Sequence, residues 1–324
     1  MPQLKSRPLL WVQAVALTVR MLSVAAVLHR AKPFDAIHAQ WIVPAGLVAR
    51  VLRYRFGVGY LVTSHGADAT RLNRGAMRAV NRWVIDGAAR FVGVSRDIAT
   101  QFDGVHAPVS VQPTGIDFEY WATAARPRKP VPGRVLFVGR LTPKKGVADA
   151  IHAMAGLEGC ELRIVGVVPL RRALEYLVDE RGLASVVTFL GGRTRDEIAE
   201  EMRSAMCVVI PSVTAPDGDR DGTPNVLGEA IAAGVPVVAS RIAGIREYIQ
   251  NDITGLLHEP GDVAGLRTHI RRLTAGPEEC LHLARAAQER AREHLDMHVV
   301  ADRYTTWYHE AIKTTGLQEN SNDR

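Results

Sequence analysis

From Arg134 onward the chain alternates short apolar runs with helix-forming segments, and this alternation restricts the possible folds more than any other feature. The runs "RVLFVGR" (134–140), "ELRIVG" (161–166), "VVTFLGG" (186–192), "CVVIPS" (207–212), "VPVVAS" (235–240) and "GLLHEPGD" (255–262) read as strands. Between them "VADAIHAMAGL", "PLRRALEYLVDERG", "TRDEIAEEMRSA" and "PNVLGEAIAAG" carry helical spacing, with Thr194 placed to cap the third. Strands of this length alternating with helices make βαβ units and a parallel sheet. Helices cover both faces of such a sheet, so its strands are apolar without alternation. One complete Rossmann-like domain is expected over residues 134–294.

The front of the chain repeats the pattern less fully. "FDAIHAQ" (34–40), "GYLVTSHG" (59–66), "RFVGVS" (90–95) and "VSVQPTG" (109–115) are strand-like with helices between, giving a second α/β domain over 1–121. It opens on a helix rather than on a strand and a Gly-rich turn. "ATAARPRKPVPG" (122–133) reads as a linker, residues 295–315 as a last amphipathic helix, and the polar end 316–324 as a frayed tail. Near the start, "RPLLWVQAVALTVRMLSVAAVLHR" is broken by Arg20. Only about twelve uncharged residues precede Arg20, against about 20 for a membrane span, and a signal sequence can have an apolar core that short. The expected form is an amphipathic or buried helix ending near His29.

Composition narrows the partners. The 324 residues are 47% hydrophobic and carry a net charge of +6, mostly from Arg. The charge is too dispersed for a nucleic-acid surface and suits a phosphate-bearing ligand or an anionic membrane. Lys is scarce, yet Lys144 and Lys145 are adjacent. Cys160, Cys207 and Cys280 are far apart and form neither a disulfide framework nor a zinc spacing.

The chemistry gathers after the strands, where open parallel sheets bind ligands. Arg140 and Lys145 follow the first strand of the second domain, Gly166 the second, Gly191 and Gly192 the third, and 217–225 the fourth. A guanidinium fork and an ammonium match a diphosphate; the alternative is a solvated loop. The segment "PDGDRDGTPNVLGEA" imitates a calcium loop, but the acid due at its twelfth position falls one residue late, at Glu229, and a strand rather than a helix precedes it. A divalent ion held by "DGD" is the other metal reading, and no metal is the one adopted. Thr223 suits a helix cap and Pro224 the first helical position, leaving free N–H groups for a phosphate. Asp221 and Glu229 stand about two turns apart and suit hydroxyls of one ligand, whereas Asp217 and Asp219 read as solvated loop. In the front domain His65 and Asp68 follow a strand; His65 is a candidate sugar contact or a structural loop residue, and Gly115 and Asp117 a tight turn.

Together "SHGAD", "VSRDI", "PTGIDFEYW", "VGRLTPKKG", "VTFLGG", "DRDGTPNVLGEAIAAGVPVVAS" and "GIREYIQNDITGLLHEPGD" resemble the GT4 family of retaining glycosyltransferases. The resemblance implies the GT-B fold, two Rossmann-like domains, here with the N-terminal one incomplete because the family's first strand and Gly-rich turn have no counterpart. It implies that Arg140 and Lys145 hold a donor diphosphate, with Gly139 and Gly166 beside them. Glu229 would take the ribose, and Asp221, where the family has Glu, the donor sugar. Gly222, Thr223, Pro224, Asn225 and Val226 would offer backbone groups. Gly191, Gly192 and Arg193 would lie against the base, and His65 against the transferred sugar. "GVVP" (166–169) departs from the family's Gly-Asp-Gly-Pro at Val167. The last helix would cross back to the front domain.

The expected activity is transfer from a UDP- or GDP-linked sugar to a glycan or lipid-linked acceptor in bacterial cell-surface polysaccharide synthesis, without cofactor or nucleic acid. Competing expectations are a nucleotide-sugar 2-epimerase and a truncated, inactive donor-binding subunit. A cytoplasmic site at the inner membrane face is expected, with Arg7, Trp11 and Arg20 candidates for contact with an anionic leaflet.

Overall fold

The computed structural model describes residues 8–70 and 72–315. Arg7 and the tail at 316–324 lie outside the described residues, as does the side chain of Trp11. The chain divides into two compact units, one of residues 1–112, 217–219 and 301–324, the other of residues 113–216 and 220–300.

The first unit holds four parallel strands, β1 (Ala36–Gln40), β2 (Gly59–Ser64), β3 (Arg90–Gly93) and β4 (Val109–Val111), paired in sequential order. Among the described residues this sheet has no point at which the order reverses. Its core is Tyr60, Phe91, Ile42, Ile85 and their neighbours, and the Tyr60 hydroxyl donates to the Val84 carbonyl. The last helix, Met297–Lys313, belongs to this unit from Ala301 onward. Its Glu310 pairs with Arg90 at 2.8 Å, and Thr315 beyond it accepts from the Gly59 amide at 3.0 Å. A Cβ at Gly59 would stand 1.9 Å from the Ala311 carbonyl oxygen, so only glycine lets helix and strand meet.

The helix near the start forms over Pro8–Ala31, but it is not buried as one of the expected readings had it. Nor does Arg20 cut the apolar stretch short: the 20 residues Val12–Ala31 are long and apolar enough to cross a membrane, at a mean hydropathy of 1.6, and only 6% of the window is buried. Val12, Val15, Leu17, Val19, Val24, Val27 and Leu28 are all exposed. Apolar residues surround this helix on every side, so packing one face inward leaves the others in solvent.

The second unit holds six parallel strands: β5 (Arg134–Val138), β6 (Glu161–Val165), β7 (Val187–Gly191), β8 (Cys207–Ile210), β9 (Val237–Ser240) and β10 (Leu256–His258). They lie in the order β10-β9-β8-β5-β6-β7. The order reverses between β5 and β8, which is where open parallel sheets bind ligands, in the crevice beyond the carboxyl ends of the strands. Two apolar cores, one per face, account for the unbroken strands. Thr194 caps the Arg195–Ser204 helix in a reciprocal box with Glu197.

The expected linker at 122–133 does not hang between units. Its first residues finish the Phe118–Ala124 helix, and the rest is pinned to the second unit. The Lys129 amide donates to the Arg203 carbonyl at 3.0 Å and Val131 to Ser204 at 2.8 Å. Arg128 donates to the carbonyls of Ala205 and Gly234, which follow two helices and would otherwise be orphaned. Burial pushes the Arg128 guanidinium down to about 10.

Candidate functional site

The crevice between β5 and β8 collects most of the residues singled out from the sequence. After β5, the turn Pro143–Lys145 ends at Gly146, whose φ of 63° favours glycine. A Cβ there would also stand 1.7 Å from the Pro211 carbonyl oxygen, so the turn lies directly on the end of β8. Val213 donates to the Lys144 carbonyl at 2.8 Å and ties the two loops together.

This geometry brings two lysines to one carboxylate. Lys145 Nζ stands 2.8 Å from Asp221 Oδ2, and Lys144 Nζ 3.4 Å from Oδ1. The buried Ser212 hydroxyl donates to Oδ2 at 3.0 Å. Asp221, 8% exposed at its side chain, is therefore neutralised from the protein itself. Arg140 is exposed and has no side-chain partner among the described residues. The loop presents the exposed Arg140 guanidinium and two lysines that meet at Asp221, a cationic surface suited to a diphosphate.

The helix behind the loop spans Asn225–Ala232. Thr223 is not its cap. Pro224, at φ −64° and ψ 130°, takes that position without a side-chain hydrogen bond, so the helix begins one residue later than the sequence suggests. Pro224 cannot donate, and its extended ψ keeps it outside the first turn. Gly222 and Thr223 rest on Gly244, where a Cβ would meet the Gly222 carbonyl oxygen at 2.0 Å. Val226 is buried beneath and Asn225 is exposed.

Glu229 stands on this helix, and no hydrogen bond or ion pair engages its carboxylate among the described residues. Burial raises its pKa, opposed by the charge of Arg195. Arg195 is held over the Tyr120 ring at 3.6 Å and pairs with Asp117 at 3.1 Å. Asp117 caps the Phe118–Ala124 helix through the Tyr120 amide rather than serving a bare turn. The contrast between the two acids is plain: Asp221 is satisfied from within, and Glu229 is left with acceptor capacity.

The ends of β5 and β6 meet through glycines. A Cβ at Gly166 would lie 2.0 Å from the Gly139 carbonyl oxygen, and the Gly166 amide donates to Gly191 at 2.8 Å. Gly192 faces the exposed Val167. Arg193 turns to Glu197 at 2.8 Å. Asp217 and Asp219 form a local turn, the Asp219 amide donating to Asp217 at 3.0 Å. No group of three acidic, His or Cys side chains able to hold a metal ion occurs among the described residues. Lys144, Ser212, Gly244 and Arg195 carry this site and were not singled out from sequence, although the Lys144–Lys145 doublet was a signal.

His65 lies in the first unit, after β2. Its Nε2 donates to Gln40 Oε1 at 2.6 Å, and burial holds its imidazole below the usual value, with Asp68 pulling the other way. Asp68 is fully buried and accepts from Ser64, Gly66 and Ile42 at 2.7–3.1 Å. It organises the loop rather than facing solvent.

Comparison with known proteins bears on the family and the fold. Residues 124–290 match the glycosyl transferases group 1 family and residues 2–115 a glycosyl transferase 4-like domain. The amylovoran biosynthesis glycosyltransferase AmsK of Erwinia amylovora is 33% identical over 195 residues, 59% of this chain and 48% of that protein. A glycogen synthase of Mycobacterium tuberculosis is 31% identical over 286 residues, 82% of this chain and 66% of that protein. The chain thus spans about half to two thirds of the length of these relatives. Among solved structures, the sucrose-phosphate synthase from Thermosynechococcus elongatus superimposes with a TM-score of 0.77 at 24% identity, covering 90% of this chain and 77% of that one. Anabaena HepE in complex with UDP does so at 0.74 and 22%, covering 87% and 82%. With two Rossmann-like halves and both family matches in chain order, the chain belongs to the group 1 glycosyltransferases of GT4 type, with the GT-B fold.

Proposed function

We propose that this chain transfers a sugar, with retention, from a UDP- or GDP-linked donor to a glycan or lipid-linked acceptor in bacterial cell-surface polysaccharide synthesis. The observation that carries the reading is the cationic loop at the strand-order reversal, where Arg140 stands free and Lys144 and Lys145 share Asp221. Relatives named for amylovoran and colanic acid biosynthesis support the polysaccharide, and neighbours bound to UDP and UDP-glucose support the donor.

Transfer from a nucleoside diphosphate sugar turns on stabilising the departing diphosphate. Arg140 and Lys145 supply fixed positive charge where negative charge develops, and the free N–H groups at Asn225 and Val226 add to it. Glu229 accepts from the ribose hydroxyls. Asp221, held by Lys144 and Ser212, accepts from the donor sugar while Lys145 turns to the phosphates. These cations do the work a divalent ion does elsewhere, so the reaction proceeds without metal. With Asp221 engaged by Lys144 and Ser212 and Glu229 assigned to the ribose, the reading adopted is departure and attack on one face of the sugar through an ion pair.

The test is Lys145→Ala in the full chain. Calorimetry with UDP and GDP is expected to show binding to the wild type and at least a tenfold loss in the variant, and labelled donor is expected to give no product. Retained turnover in Lys145→Ala overturns the diphosphate assignment. A second part of the reading places the exposed Pro8–Ala31 helix against an anionic leaflet.

A further inference from the structure

Trp41 follows β1 with φ 84° and ψ 140°, a region costly for any residue with a Cβ and more so for a bulky one. The surroundings hold it there. Its amide donates to Thr63 at 2.8 Å, its carbonyl accepts from Gly46 at 3.1 Å, and the next amide donates to the buried Asp68 at 3.0 Å. Even so, Trp41 remains 39% exposed. Glycine would take the same backbone at lower cost, so backbone conformation does not explain this residue.

Its ring lies 6.2 Å from His65, tilted by 34°. His65 is held by Gln40, whose amide nitrogen stands 3.2 Å from His38 Nε2. His38 is anchored by Thr63 at 2.8 Å and by Tyr308 at 2.7 Å. With Nε2 donating, His65 Nδ1 is left as an acceptor without a partner among the described residues, and Gln40 is exposed with amide hydrogens to spare. An exposed aromatic face beside fixed polar groups, beyond the ends of parallel strands, matches a pyranose: its C–H face packs on the ring and its hydroxyls meet the amide and imidazole.

We propose that Trp41, with Gln40 and His65, forms a subsite for a hexopyranosyl unit of the acceptor. The biological use of this subsite rests on the proposed sugar transfer, but its binding does not. Saturation-transfer NMR of the full chain with methyl glucoside, galactoside and mannoside is expected to show transfer to the C–H protons of at least one glycoside. Trp41→Ala is expected to weaken that binding by roughly tenfold, as loss of one aromatic contact entails, and Trp41→Phe to retain most of it. Trp41→Gly is expected to lose it while melting no lower than the wild type. Failure of all three glycosides to receive saturation, or unchanged binding in Trp41→Ala, overturns the subsite. So does a melting point of Trp41→Gly several degrees below the wild type, which assigns the ring to packing. UDP titration runs alongside: UDP affinity lost in Trp41→Ala assigns the ring to the donor and overturns the subsite. Glycoside binding by a wild type that takes neither UDP nor GDP supports the subsite and removes the donor reading instead.

Discussion

Glu229 is a half-buried carboxylate with no hydrogen bond or ion pair among the described residues. Because burial raises its pKa, the fold prefers it protonated. Its contribution to stability is present below the unfolded value, near 4.5, and is lost as pH rises through the higher folded value. Glu229→Gln is therefore expected to melt above the wild type at pH 7, with the difference closing as pH falls below the unfolded value. The same variant is expected to bind UDP or GDP more weakly, by calorimetry. A variant that binds normally removes Glu229 from the donor. His38 shows the opposite sign. Burial, then the charge of His65, pushes it down to about 4 from 6.5. The folded state prefers the neutral ring, so its contribution is present above 6.5 and is lost as pH falls from there towards 4. Acid titration monitored by histidine NMR is expected to show the His38 ring protonating only near pH 4 or with unfolding of the first unit. Protonation near 6.5 in the folded protein contradicts the buried network.

At the scale of elements, much was legible and the reasons are specific. The runs "RVLFV" and "CVVI" are strands because burial on both faces leaves no polar period to confuse them, and Thr194 with Glu197 makes the box that its spacing announces. What stayed hidden depends on backbones that approach from distant parts of the chain. Thr223 looked like a cap, but the loop before it lies on Gly244, and that contact together with the extended Pro224 delays the helix by a residue. The Lys144–Lys145 doublet was visible but its carboxylate partner was not, and Ser212 was silent, because Asp221 reaches them only through the pairing of β5 with β8. Trp41 gave no periodic signal at all, since positive φ is written in the sequence only when glycine occupies it. Gly244→Ala is expected to displace the 222–223 loop and weaken nucleotide binding, with helix content by circular dichroism unchanged. Normal affinity in that variant shows that the loop is free to move aside.

Across the whole chain, charge is unevenly divided. Residues 1–112 contain fourteen Lys and Arg against five Asp and no Glu, a net +9, whereas the remainder holds twenty-six against twenty-nine, a net −3. No acid occurs before Asp35, so the exposed apolar helix and its flanks are wholly cationic. Apolar area with excess positive charge favours an anionic bilayer surface, and the electrostatic share is screened by salt. Co-sedimentation with phosphatidylglycerol-containing vesicles is expected to exceed that with neutral vesicles, to fall as salt rises, and to weaken in Arg20→Glu. Equal binding to neutral and anionic vesicles at every salt concentration removes the leaflet from the reading.

The order of strands in the two sheets also governs when each becomes complete. In the first sheet every strand pairs with its neighbour in sequence, so each pairing closes as soon as the next strand emerges. In the second, β5 finds one neighbour in β6 but waits for β8, beyond two further strands and their helices, before its other edge is covered. Such non-local pairing is slow because the loop closes before its contacts are gained. Lys145 and Asp221 belong to the loops after those two late-meeting strands. The ion pair at the candidate donor site is thus a late event in folding, and the recovery of UDP or GDP binding during refolding is a clock for the second sheet rather than for the first.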